Sequence, residues 1–222
     1  VGMSASSVKR VLAEFGDADL DDIEQLWHAI EPPYEELFLW LSDEAEKPDI
    51  SGKLSFTPLM LAHPVDLKSL DFINPNEWFA EWKYDGIRVQ LVTSNEESAI
   101  FSRSGENITS SFPELSQEIT RESVLDGELV VMRDKEIGSF NDLQKRLNKK
   151  RPTKKDINSY PTAVIVYDVL SCRGESYRKK TLEERRSLLE SFFKKEAMSD
   201  RLFLSPTLSF TDSTDLQRIV EK

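Results

Sequence analysis

One cysteine, two histidines and eight glycines are all that this 222-residue chain holds of three residue types that often carry chemistry. The lone Cys172 excludes an internal disulfide and a cysteine-based zinc cluster, and makes a reducing, cytoplasmic location the default. His28 and His63 have no cysteine or carboxylate at ligand spacing, so His28 reads as a packing residue on a helical stripe. The longest apolar runs, such as Leu37–Leu41 and Ala163–Tyr167, reach five residues. A membrane-spanning helix needs about 20, so no membrane partner is expected. No basic segment followed by an apolar stretch opens the chain, so no secretory signal is read. The phosphate-loop pattern GxxxxGK[ST] and the dinucleotide pattern GxGxxG are both missing.

What is present is a globular composition, 39% apolar and 31% charged, with a net charge of −11. That total argues against a nucleic-acid partner until its distribution is read. Residues 1–50 hold thirteen acids and three bases, a net of −10, which leaves −1 for the other 172 residues. Within them Lys145–Lys155 carries seven bases and no acid. Such asymmetry predicts two parts with different surfaces.

The first fifty residues read as helical. In Asp17–Ile30 the apolar residues Leu20, Ile23, Leu26, Trp27 and Ile30 form a 3.6-residue stripe. Pro32 and Pro33 end it and open a second helix expected to bury Leu37, Phe38 and Leu41. A polar stretch, Ser42–Lys53, serves as a linker. After it the pattern turns to strands at Ile87–Val92, Ala99–Arg103, Val124–Met132 and Thr162–Val169, with helices expected over Phe112–Arg121, Phe140–Lys150 and Leu182–Met198. The expected fold is α+β, with mixed, largely antiparallel sheets and flanking helices, preceded by short α-helices.

One cluster stands apart: Glu81-Trp82-Lys83-Tyr84-Asp85-Gly86-Ile87-Arg88. Lys83 lies between two aromatics and ahead of an Asp-Gly dipeptide. Its amine becomes a nucleophile only when deprotonated, which burial among Trp82 and Tyr84 and the nearby charge of Arg88 would favour. The plain alternative is a type I′ hairpin turn at Asp85-Gly86 with a solvated lysine beside it.

Taken together with five more segments, the cluster resembles the ATP-dependent DNA ligases, within the covalent nucleotidyltransferases that include mRNA capping enzymes. Lys83-Tyr84-Asp85-Gly86 matches the adenylation motif. Ser102-Arg103-Ser104-Gly105, Leu125-Asp126-Gly127-Glu128-Leu129 and Val166-Tyr167-Asp168-Val169-Leu170 are similar to the blocks that follow it. Phe140, Leu143 and Arg146 fit FxxLxxR, and Thr57-Pro58-Leu59-Met60-Leu61-Ala62 resembles the short segment that precedes the domain.

The resemblance implies a truncated nucleotidyltransferase, ATP-grasp-like adenylation domain over residues 51–222, incomplete at its C-terminal side. Residues 1–50 would be the end of a helical DNA-binding domain. It implies ATP and Mg²⁺ (or Mn²⁺) as cofactors and nicked duplex DNA as partner. Lys83 would attack the α-phosphate, Glu81 would recognise the adenine amino group, and Tyr167 would stack on the ring, with strand-core packing as its alternative. Arg88 and Arg103 would hold ribose, phosphate or the nick 5′-phosphate. Glu128 would bind the ribose hydroxyls or help hold the metal. Asp85 and Asp126 both precede glycine, so turn formation alone could explain them. Asp168 would have at most a structural or indirect metal role. Lys145–Lys155 is a candidate phosphate contact or a solvated helix end. Residues 171–222 lack the family's EGxxxK and KxK blocks, and Asp22–Leu41 resembles bacterial members. This predicts an interior piece of a longer, bacterial ligase, inert or nearly so by itself. An mRNA-capping-type guanylyltransferase, an RNA ligase and a non-catalytic nucleotide-binding remnant are the alternatives; the PMLA-like and FxxLxxR segments favour DNA ligase.

Overall fold

Capping side chains set the ends of the first helices. In the computed structural model, which describes residues 2–65, 73–116, 118, 121–195 and 200–221, α1 spans Ala5–Phe15 behind Ser4, whose hydroxyl accepts from the Ser7 N–H. Asp19 does the same for α2, Leu20–Ala29, through the Asp21 N–H. Helix α3, Glu35–Leu41, follows the two prolines. Ala13, Ile23, Leu26, Ile30, Leu37 and Leu41 close one small apolar cluster among these helices. Phe38 departs from expectation: it is 47% exposed, because Leu37 and Leu41 already supply the inward stripe of a helix only seven residues long.

A curled sheet makes up most of the rest. Its strands are β2 (Ile87–Ser94), β3 (Glu97–Ser102), β4 (Ser123–Arg133), β6 (Thr162–Cys172) and β7 (Glu175–Ser176), in the order β3-β2-β4-β6-β7. Every neighbouring pair in that order is antiparallel. The short β5 (Glu136–Ile137) pairs with β4, while β1 (Ala80–Glu81) pairs with β9 (Thr207–Leu208) beside the sheet. One pairing is parallel: helix α6 (Leu182–Lys195) carries the chain back so that β8 (Leu202–Leu204) runs alongside β6. Helices α4 (Phe140–Leu147), α5 (Lys154–Ser159) and α7 (Ser213–Val220) complete the order.

The four long strands lie where alternation predicts them. The helix expected over Phe112–Arg121 does not form in its described part: a 3₁₀ turn at Thr109–Ser111 precedes it and turns follow over residues 113–116, while residues 117, 119 and 120 lie outside the described residues. Phe112 and Leu115 do face the core, three apart as in a helix. However, the Ser116 hydroxyl donates to the Pro113 carbonyl, and Glu114 is drawn to Arg146 and Thr162. Helix α6 matches its expected span as far as Lys195, and residues 196–199 lie outside the described residues.

Period two sorts the sheet's two faces. Val89, Leu91, Leu125, Leu129, Val131, Val164 and Val166 point into the main core with Phe112, Leu143, Leu189 and Phe192. Arg88, Gln90 and Val92 on β2, with Val124, Asp126 and Glu128 on β4, face the other way. At one end of that second face Val92, Val124, Leu170, Ala99 and Phe101 pack under Phe56, Leu54, Leu59 and Met60. Gln90, fully buried, ties this covering segment down: its Oε1 accepts from the Thr57 N–H at 2.9 Å and its Nε2 donates to the Thr57 carbonyl at 2.7 Å. The opposite end of the face stays open.

Candidate active site

At the open end, the segment Trp82–Gly86 leads from β1 to β2 and passes close to Glu128 and Leu129 of β4. Gly86 is required there: a Cβ would collide with the Leu129 carbonyl oxygen and the Glu128 side chain. Its N–H donates to Glu128 Oε1 at 3.2 Å. Neither Asp85 nor Gly86 has a positive φ, which a type I′ turn needs at both positions. The Asp-Gly pair therefore serves close approach to β4, and the hairpin-turn alternative fails. Lys83 is exposed and Trp82 is 47% exposed, so the expected burial of the amine between aromatics is not found. The segment runs across the mouth of the site and does not enter the core.

Behind the lysine sits an ion pair. Arg88 Nε and Nη2 donate to the two carboxylate oxygens of Asp126 at 3.1 and 2.6 Å, and Nη2 also donates to the Met60 carbonyl at 2.8 Å. The geometry is the two-pronged one that guanidinium favours, and it leaves Nη1 of Arg88. Asp126 is fully buried within β4, so the turn explanation for it also fails. Opposite it, the β4–β6 register shifts between Asp126 and Gly127: Asp126 faces Asp168 and Gly127 faces Val166. Tyr167 is thus the extra residue of a bulge, and such bulges re-aim side chains. Its hydroxyl donates to Asp126 at 3.4 Å, and Arg88 lies over its ring at 5.8 Å from the centroid.

Glu81 is held from α6. Its Oε1 accepts from Arg186 Nη1 at 2.9 Å, while Arg186 Nη2 donates to the Ser205 carbonyl at 2.7 Å. Asp168 pairs with Arg185 at 2.8 Å and accepts from the Val169 N–H, which makes it a strut between sheet and helix. Burial pushes the carboxyls of Glu81, Asp126 and Glu128 above their ordinary range, although Arg186, Arg88 and the Gly86 N–H respectively pull them back. Burial also raises the Tyr167 hydroxyl well above a free phenol. Arg103 sits on the turn after β3, where Gly105 adopts φ +82° and donates to the Ser102 carbonyl at 2.9 Å.

All six candidate residues, Lys83, Glu81, Arg88, Arg103, Glu128 and Tyr167, line one cavity of about 690 Å³, together with Phe140 and Ala62. A cavity of that size accommodates a nucleotide. Among the described residues no three His, Cys, Asp or Glu side chains converge as a resident metal site. Glu128, with one oxygen taken by Gly86, instead suits an ion carried in mainly on phosphates and water.

Residues 59–222 match the model of a protein family described as "ATP dependent DNA ligase domain". The chain belongs to that family. It is 30% identical to a probable DNA ligase of Koribacter versatilis (strain Ellin345) over 99% of this chain and 39% of that protein. It is 31% identical to a DNA ligase of Sulfophobococcus zilligii over 67% of this chain and 25% of that one. The chain thus spans about two fifths or less of the length of these curated relatives. Among solved structures it is similar to the ligase domain of M. tuberculosis LigD, with TM-score 0.50 and 23% identity over 64% of this chain and 44% of that chain. It is equally similar to the Chlorella virus DNA ligase-adenylate, with TM-score 0.50 and 17% identity over 73% and 53%. These two likenesses are of fold: the ligase adenylation-domain architecture.

In this ligase-domain chain the FxxLxxR residues divide their work. Phe140 reaches the cavity, Leu143 enters the core, and the fully buried Arg146 binds both Glu114 oxygens and the carbonyls of Ser111 and Tyr160. Sequence reasoning missed Arg186 and Ser205 behind Glu81, and Gln90 under the covering segment. The adjacent Arg185-Arg186 pair on α6 was the one local signal for the first of these.

Proposed function

We propose that the protein bearing this chain is an ATP-dependent DNA ligase that seals nicked duplex DNA, with Lys83 as its covalent nucleotide carrier. The carrying observation is the convergence of six candidate residues on one cavity in a chain of this family. In this reading residues 1–50 and 51–222 are separate units, the second being the adenylation unit. The neutral Lys83 Nζ attacks the α-phosphorus of ATP. An N–P bond forms, the bond to pyrophosphate breaks, and the amine proton leaves to solvent. A 5′-phosphate oxygen of the nick then takes the AMP and frees Lys83. Finally the 3′-hydroxyl oxygen displaces AMP, releases its proton and closes the strand.

Glu81, steadied by Arg186, offers a carboxylate oxygen to the adenine amino group, and Tyr167 stacks on the ring. Arg88 Nη1 and Arg103 bind ribose or phosphate oxygens. Glu128 accepts from the ribose hydroxyls or contributes one ligand to Mg²⁺ or Mn²⁺, which would neutralise phosphate charge when bound. The reaction is cytoplasmic and serves replication, repair or recombination wherever nicks arise. Incubation with ATP labelled at the α-phosphate should give an acid-labile adduct on Lys83, with GTP and NAD giving none. Lys83→Ala and Lys83→Arg should both drop labelling to background, because arginine stays protonated. Label mapped to a different residue overturns the assignment.

A further inference from the structure

The basic run after α4 divides into two sets. Arg146 is neutralised by Glu114, Lys145 by Asp142 and Lys149 by Asp156. Lys150, Arg151, Lys154 and Lys155 are exposed and have no acidic partner among the described residues. Local structure gains nothing from them. Lys154 and Lys155 open α5, where positive charge opposes the helix dipole, and Thr153 with Asp156 already forms a complete capping box. The loop is nevertheless held in place, since the Lys149–Asp156 pair ties the end of α4 to α5. Four cations are therefore displayed together on a braced loop, in a chain whose net charge is −11.

The position of this patch gives it a partner. Helix α4 starts at Phe140 on the cavity wall and runs eight residues to the loop. At about 1.5 Å per residue that is about 12 Å. Phosphates recur about every 3.4 Å along one strand of a duplex, so the interval corresponds to three or four nucleotides. We propose that Lys150, Arg151, Lys154 and Lys155 form a docking surface for the sugar-phosphate backbone of duplex DNA, a few nucleotides from the point held at Lys83. It rests on the ligase reading for what occupies the cavity. Contacts of this kind set position without reading sequence.

The test measures binding of the parent protein to a fluorescent nicked duplex across a range of salt concentrations, beside a variant with all four residues changed to Ser. Each lost phosphate contact should reduce the slope of log K against log salt by about 0.9, so a total reduction of about 2–4 is expected. Labelling of Lys83 by ATP should be unchanged, and a second variant with Arg at all four positions should restore the slope. An unchanged slope in the Ser variant, with its thermal melt intact, overturns the patch as a DNA surface; that is also the result an acidic protein partner would give. A reduced slope in a parent that never labels Lys83 would leave the patch standing and sink the ligase reading instead.

Discussion

The two ends of one sheet face are built by the same strands and the same alternation, yet they do opposite work. Val92, Val124 and Leu170 at one end are sealed under Phe56 and Leu59. Arg88, Glu128 and Tyr167 at the other end line an open cavity, with the buried Asp126 behind them. Along β2 only one residue lies between Val92 and Gln90 and one between Gln90 and Arg88, so the change from glue to chemistry takes place within about 14 Å. Gln90 marks the border: its amide clamps Thr57, and the covering segment then runs on until the Met60 carbonyl meets Arg88. The same strap that finishes the apolar end also braces the arginine of the polar end.

If the ends are as distinct as this, substitutions should separate stability from nucleotide handling. The largest stability loss is expected for Leu170→Ala, which removes a fully buried side chain. It should cost about 2–5 kcal/mol in denaturant unfolding while leaving the ATP dependence of Lys83 labelling alone. A shifted ATP dependence there would dissolve the distinction. Asp126→Ala comes next, at about 2–3 kcal/mol, because it strands the half-buried Arg88 guanidinium. This substitution should also weaken ATP use, since Arg88 loses the partner that aims it. Stability falling with ATP use intact would make the pair purely structural.

Tyr167 sharpens the comparison at smaller scale. Tyr167→Ala should weaken ATP binding by about 1–3 kcal/mol, whereas Phe should be tolerated, its lost hydroxyl contact being the long one at 3.4 Å. Binding calorimetry on both variants decides. Equal damage from Phe would point to the hydroxyl and Asp126, and no damage from either would return Tyr167 to strand packing.

How much of this was legible beforehand follows from the reach of each signal. Lys83, Glu81 and Arg88 sit within eight residues, and the later blocks are short strings on strands or at a strand end, so pattern alone named all six candidates that line the cavity; Phe140 and Ala62, which line it too, fell in matched segments without a site role. The supports were not legible. Arg88 finds Asp126 38 residues away, Glu81 finds Arg186 105 residues away, and Arg178 finds Asp21 157 residues away. No local periodicity carries such pairings. Gly86 shows a different gap: its role depends on how closely β4 approaches, and a dipeptide cannot encode that distance. The failed helix at Phe112 had the right apolar spacing, but its polar residues had stronger partners elsewhere.

The smallest expected effect tests how the helices meet the site. His28 on α2 packs edge-on to Phe56 at 4.9 Å between centroids, and its ring lies against Gly105, next to the Arg103 turn. Burial, with the nearby Lys9 charge, lowers the His28 pKa from its ordinary value of 6.5. Lys9, Glu24 and Arg103 line the same crevice, so two cations and one acid surround the imidazole. A lowered value means the docked state prefers the neutral ring. The contribution is therefore complete above the free-histidine value and is lost as pH falls below about 6.5 towards the lowered value. The raised carboxyls of Glu81, Asp126 and Glu128 lean the other way, gaining stability as pH falls. Only a difference between variants isolates the histidine. His28→Phe keeps a ring against Phe56 and removes the titration, so its melting temperature should fall less than the parent's between pH 7.5 and 5.5. Trp27 on α2 stacks on Tyr34 at 5.0 Å and Trp40 lies on α3, so with Trp78 and Trp82 changed to Phe the tryptophan fluorescence follows the helices themselves. Parallel curves for parent and variant would mean that His28 stays docked whatever its charge, and that its titration plays no part in holding α2 against the Arg103 turn.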